Sequence, residues 1–358
     1  MLSAPLPYFP DVETPQPDED RTHRALIATF RKIITKTHRD LGHAQRGVHA
    51  KSHALLHGEF RVHPDLPPEL AQGLFAEPGT YAARVRLSSI PADPLRDTVS
   101  VPRGFALKII GVRGERLPGS ENDTTQDFLF ANGPAFATPD AKSFLSGMRL
   151  LALTTDRMEW AKAALSHILR AINAILAKCA RPSPLLAFLG GYAPTNPLGD
   201  RFCSQVPFRF GQYMAKFDIV PESDSFRALT DRRVDLRRDP DAIRTEIREI
   251  LYREGGRWTL RAQLCRDLER NPIENAAAVW PEDHNPYLPV ATIDVPPQES
   301  WSESLSREMD DGLSFAPWHG LTAHRPLGNI MRARRVLYPV SVGLRSDLNR
   351  CPVHEPRT

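Results

Sequence analysis

The sequence predicts an α+β fold in which an antiparallel β-barrel is surrounded by helices. Three observations carry that reading. Short alternating or apolar segments, punctuated by proline, glycine and acidic turns, cluster between residues 58 and 131 and return after residue 206. Longer segments with a 3.6-residue apolar period stand before and between them. Strands this short need closure or cover, and nothing repeats at a fixed period, so a barrel is the economical arrangement.

Taken in order, residues 1–20 are rich in proline and acid and predict an extended arm that gains order by lying against something. Between Asp20 and Asp40, Leu26, Ile27, Phe30, Ile33 and Ile34 recur at helical spacing, with Arg24, Arg31 and Thr35 on the opposite side. Strands follow at 58–63, 80–90, 103–112 and 127–131. The period then changes. Phe144, Met148 and Leu151 mark one helix, and Leu165, Ile168, Ile172, Ile175 and Leu176 mark the apolar face of a second, suited to packing beside the barrel or to a dimer contact. Strand character returns at 206–221 and 258–265, around a helix at 241–255 whose Ile243, Ile247, Ile250 and Leu251 share one side. A proline-rich path occupies 271–296.

Composition narrows the function classes. The chain has 358 residues, 40.1 kDa, a formal charge of +3 and a pI near 8.7. That supports one sizeable core and gives no strong field for nucleic acid. Four cysteines, Cys179, Cys203, Cys265 and Cys351, lie too far apart for a paired metal knuckle or a redox C-x-x-C. The N-terminus lacks a basic leader followed by an apolar core, and no window of eighteen apolar residues is free of charge, so a cytoplasmic protein without a membrane span is expected. The expected organisation is an arm at 1–20, a single domain at 21–345 and a tail at 346–358.

The run Ala44–His63 concentrates candidate chemistry, with four histidines and two arginines against an apolar segment. On this window alone, His49 reads equally as a satisfied or surface histidine. Arg86-Leu87-Ser88-Ser89, Pro102-Arg103-Gly104-Phe105-Ala106-Leu107-Lys108 and Arg334-Arg335-Val336-Leu337-Tyr338 follow in that order. The last run also reads as a solvated or nucleic-acid-facing basic helix, since Arg332 and Arg335 carry charge at helical spacing. Yet Arg334 and Tyr338 stand four apart on one helical face, which suits a guanidinium above a phenol oxygen and would favour the tyrosinate.

Together these motifs resemble the haem domain of the catalase family over roughly residues 40–345, and WPED and VATIDVP resemble its small, truncated members. The resemblance implies a haem b cofactor whose iron is bound by Tyr338, with Arg334 beside the tyrosinate. It implies His49 as the distal acid–base group, Ser88 as its hydrogen-bond partner, and Arg46, Arg86 and Arg345 as cations for the two propionates. Arg103 is then structural. The family's distal asparagine falls on Asn122 when Thr124-Thr125 is set on the family's threonine and proline; a solvated turn asparagine is the alternative, and the proline itself is missing there.

Two departures shape the functional expectation. The family's channel aspartate, two residues before the arginine of PRGF, is Val101 here, which suggests access suited to an apolar peroxide. The chain stops twenty residues after Tyr338, and such a minimal domain is expected to be a monomer or homodimer. The resemblance implies a peroxidase acting on organic hydroperoxides, lipid ones among them, and/or H2O2, with weak catalase activity and an unknown organic reductant. The alternatives are a fatty-acid hydroperoxide isomerase of the allene oxide synthase kind and a non-catalytic haem-binding protein.

Overall fold

Nine strands form one antiparallel sheet in this computed structural model, which describes residues 2–154, 166, 168–173, 191–237, 239–283 and 285–356. In chain order they are β1 (Lys51–Val62), β2 (Thr80–Ser89), β3 (Arg103–Ile110), β4 (Thr125–Ala131), β5 (Phe202–Cys203), β6 (Phe208–Phe210), β7 (Tyr213–Pro221), β8 (Gly256–Leu264) and β9 (Leu288–Val295). The order β5-β4-β3-β2-β1-β9-β8-β7 closes on itself where Phe202 pairs with Ile219 and Cys203 with Asp218. The result is an eight-strand barrel with no free edge, and β6 folds back on β7 as a hairpin at Gly211.

Alternation fills the barrel. Val85 and Leu87 of β2, Phe105 and Leu107 of β3 and Phe128 and Phe130 of β4 are buried in one cluster with Phe217, Trp258 and Ile293 from the opposite wall. Phe105 meets Trp258 edge-on at 5.3 Å, and Phe128 lies 5.1 Å from Phe217. The opposite faces of β1, β3 and β4 present Leu55, Ala106 and Leu129 to Met309, Leu313 and Phe315, so this part of the barrel is covered on both sides.

That double cover explains one difference from the sequence expectation. β1 starts at Lys51, seven residues before the predicted strand, and its first six residues are all buried, so no alternation betrays it. β9 lies within the stretch read as a proline-rich path; Pro289 is accommodated where the β8–β9 register shifts between Leu260 and Arg261. β5, two residues long, carries no periodic signal.

Four longer helices of the described residues lie outside the barrel. They are α1 (Glu19–Leu41), α2 (Ala141–Thr154), α3 (Ala242–Arg253) and α4 (Asn329–Asn349). α1 buries Leu26, Phe30, Ile33 and Ile34, and packs against both α2 and α4. Of the second apolar helix predicted after residue 160, only Ser166 and residues 168–173 are described; there Leu169 is buried while Ile168 and Ile172 are exposed. No helix of the described residues is long and apolar enough to cross a membrane.

The N-terminal arm lies on its own domain. Leu6 N–H donates to Cys265 O and Tyr8 N–H to Gln212 O, while Leu6, Tyr8 and Val12 pack against Met214, Ile273 and Trp280. Glu13 and Glu19, with Glu274, surround Arg332 of α4 at 2.7–2.9 Å and raise its pKa against the opposing effect of burial. Arg335 lies over the Trp318 ring at 4.9 Å. The charges that gave α4 a basic look are thus engaged within the protein.

Candidate active site

A cavity of about 1060 Å³ lies between one end of the barrel's outer face and helix α4. Its residues come from three local structures. Arg86 and Ser88 are two apart on β2 and therefore share a face. Arg334, Tyr338 and Arg345 of α4, at intervals of four and seven, fall on one stripe facing the cavity. Arg46 and His49 stand on the connection between α1 and β1.

His49 has a positive φ of 56°, a conformation that side-chain-bearing residues rarely adopt. Its ring lies against β3 at Gly104, where a Cβ would come within 2.8 Å of the imidazole. Ser88 Oγ is 3.4 Å from His49 Nδ1. Burial, reinforced by Arg86, Arg334 and Arg46, lowers the His49 pKa to about 3, so the imidazole is neutral at pH 7. The tautomer in which Nδ1–H donates to Ser88 leaves Nε2 free to accept a proton.

At the other end, three guanidiniums gather around the turn Ser306–Asp311, a π-helical turn. Arg86 Nε donates to Asp310 Oδ1 at 2.6 Å, Arg345 Nη1 to Asp310 O at 2.6 Å, and Arg46 Nη2 to the carbonyls of Met309, Asp310 and Leu313 at 3.0–3.2 Å. Arg46 Nε and Arg345 Nε and Nη2 are buried without a hydrogen-bond partner. Like-charge crowding and burial lower the pKa of Arg46 and Arg345. This end therefore has donors and positive charge to spare for an anionic ligand.

Tyr338 lines the same cavity from α4, and its hydroxyl is bonded to no other described residue. Arg334, one turn earlier, donates to Met331 Sδ at 3.9 Å and lies 5.4 Å over the Phe136 ring, so its contacts are with these two side chains instead of the phenol expected from the spacing. Among the described residues no group of three or more His, Cys, Asp or Glu could hold a bare metal ion. A phenol and an imidazole in one cavity beside an arginine cage instead suit a metal that arrives in a flat ligand with acidic arms, and the residues fit haem on that ground.

One sequence expectation is corrected. Asn122 is exposed in the turn between β3 and β4 and does not line the cavity. Asn132, just beyond the end of β4, does line the cavity, because the strand carries the chain from that turn to the wall. Asn132 Oδ1 accepts from Arg103 N–H at 2.7 Å and its Nδ2 donates to Asp200 at 2.8 Å. The signal was present, since the proline that the 121–130 segment lacks stands at Pro134, two residues after Asn132. Arg103 is fully buried against Ala193 O, Thr195 and the Tyr192 ring, which makes it structural. Val101 is buried in the cavity wall with Val99 and Leu95. Sequence reasoning missed Asp310 altogether, because nothing in Met309-Asp310-Asp311-Gly312 distinguishes a buried carboxylate from a solvated one.

No protein-family model and no curated protein matches this sequence. Solved structures do. Catalase A from Saccharomyces cerevisiae superposes with a TM-score of 0.59 at 17% identity, over 88% of this chain and 64% of that one. A fungal catalase gives 0.59 at 16% identity, over 89% and 65%, and a bacterial catalase 0.57 at 14%, over 90% and 63%. The closed barrel with its surrounding helices is thus the catalase fold. The chain spans slightly less than two thirds of the length of each of these catalases.

Proposed function

We propose that this protein is a haem-dependent oxidoreductase that consumes peroxides, acting as a peroxidase on organic hydroperoxides and/or H2O2. The observation that carries the reading is the convergence of His49, Tyr338 and three arginines on one cavity of a catalase fold. Tyr338 would ligate the iron, and Arg46, Arg86 and Arg345 would hold the two propionates. Haem, when bound, supplies the redox chemistry. The rest falls to the chain. His49, neutral at working pH, takes a proton from one peroxide oxygen and returns it to the departing one, which avoids expelling a bare alkoxide or hydroxide. Ser88 fixes the ring's tautomer. Asn132, one of whose amide hydrogens remains free, can donate to the peroxide. An organic reductant would complete the cycle, and the protein would act as a monomer or homodimer.

The test is purification with haem, a spectrum, and parallel assays with H2O2 and a lipid hydroperoxide, with the products identified. Reduction to an alcohol with oxidation of a donor supports the proposal; conversion to an allene oxide with loss of one water would replace it, and failure to retain haem would overturn it.

Val101 deepens the substrate preference. Its wall offers contact but no hydrogen bond, so a small polar peroxide gains little there while an alkyl chain gains about 25 cal/mol for each Å² buried. Val101→Asp is therefore expected to raise kcat/KM for H2O2 relative to the lipid hydroperoxide, with haem occupancy matched. A ratio that stays constant, or moves toward the lipid peroxide, contradicts this reading of the wall.

A further inference from the structure

The arginine end of the cavity is organised by one residue. Asp310 touches all three guanidiniums by two different routes: its main-chain carbonyl accepts from Arg345 at 2.6 Å and Arg46 at 3.0 Å, and its carboxylate accepts from Arg86 Nε at 2.6 Å. The carboxylate is itself held, since Ser52 Oγ donates to Oδ2 at 2.7 Å and Ser306 Oγ at 3.0 Å. Ser52 is in turn fixed by Trp301 Nε1–H at 3.0 Å. Arg86 and Arg46 keep the Asp310 carboxyl ionised, its pKa lying below the usual value because together they outweigh the desolvation that opposes them.

Charge counting then matters. Three guanidiniums outnumber two carboxylates, that of Asp310 in contact with Arg86 and that of Asp311, which accepts from His43 at 2.9 Å and also acts on Arg46 and Arg345, so the cage stays positive. Three such cations in a site shielded from water repel one another, and a carboxylate that fixes one of them keeps the other two aimed. The geometry points to Asp310 as the positioning residue of this cage, which presets it for a planar ligand bearing two carboxylates. Asp310 itself makes no contact with that ligand; it acts through Arg86, Arg46 and Arg345. This rests on the haem reading above and adds to it what holds the three cations in place for the ligand's acids.

The experiment titrates the haem-free full-length protein with two fluorescent probes, zinc protoporphyrin IX and its dimethyl ester, which differ only in the two acids. The wild-type protein is expected to favour the diacid by about 100-fold or more, the worth of two charge-assisted hydrogen bonds. Asp310→Asn keeps the carbonyl contacts and side-chain size but removes the charge; it is expected to lower that preference about 10-fold or more while affinity for the diester stays within about 2-fold. Ser306→Ala, which frees one hydrogen bond on an intact carboxylate, should lower the same ratio less, and serves if Asp310→Asn does not fold. Equal loss for both porphyrins would reduce Asp310 to a general structural role and overturn the proposal. A preference that rises in Asp310→Asn would show that the carboxylate merely opposes the ligand's acids, which also overturns it. If the wild-type protein binds neither porphyrin, the haem reading fails, a result distinct from either of these.

Discussion

Replacing His49 with alanine is expected to lower peroxide turnover by about 10²-fold or more while leaving haem content near the wild-type level. The expectation follows from position and charge state together. Among the described residues His49 has only the Ser88 hydroxyl as a side-chain hydrogen-bond partner, at 3.4 Å, which leaves its other ring nitrogen for the substrate. Its pKa of about 3 has burial as its first cause and three arginines as the next. The neutral form therefore persists through the whole physiological range, and the peroxide step should be flat in rate from about pH 5 to pH 9 as far as this group is concerned. Stopped-flow measurement of the first peroxide-dependent spectral change checks both statements. An unchanged rate in His49→Ala removes the histidine from the relay, and an acid limb with a midpoint near 6.5 would show that the imidazole is far more solvated than its surroundings imply.

Tyr338→Phe is expected to give a folded protein that loses most of its haem, because it deletes one oxygen atom at the cavity face of α4 and nothing else. Tyr338 is half-buried and its hydroxyl supports no other described residue, so removal should cost little stability. The arginine cage would still attract the acids of the porphyrin, which predicts weak, rapidly exchanging haem in place of none. Transfer of haem to an excess of apomyoglobin measures this directly: release should be faster than wild type by at least about 10-fold, the size expected for loss of an anionic axial ligand that contributes more than a single hydrogen bond. Release at the wild-type rate would mean that another side chain holds the iron.

Much of the fold and site was legible in the sequence, for reasons that differ from residue to residue. Leu26, Phe30, Ile33 and Ile34 announced α1 because one face of that helix meets the protein and the other meets water. Arg334 and Tyr338 are legible together from helical spacing, whereas Arg86, Ser88 and Arg345 are legible only through the family resemblance; the strand that sets Arg86 and Ser88 on one face and the helix that adds Arg345 to the stripe supply the physical reason. The start of β1 was hidden by burial on both faces, which erases alternation, and β9 by a proline that only a register shift in its neighbour accommodates. Asn122 matches the motif locally because of the threonine pair beside it, whereas which end of β4 reaches the cavity is decided by the antiparallel pairing of Gly104 with Ala131. Asp310 depends on contacts with residues 224 and 258 positions away in the chain, at Arg86 and Ser52. No local pattern encodes such a meeting; the closed barrel brings it about.

On the proposed reading Tyr338 would bind haem iron through its phenolic oxygen, across the cavity from His49. The electron paramagnetic resonance spectrum of the ferric protein tests it most directly, because spin state and rhombicity report the axial ligand without reference to turnover. A high-spin signal with the rhombic splitting of a single phenolate ligand is expected, abolished in Tyr338→Phe and retained in His49→Ala. A low-spin spectrum with two nitrogen ligands, or a high-spin signal indifferent to Tyr338, would contradict it.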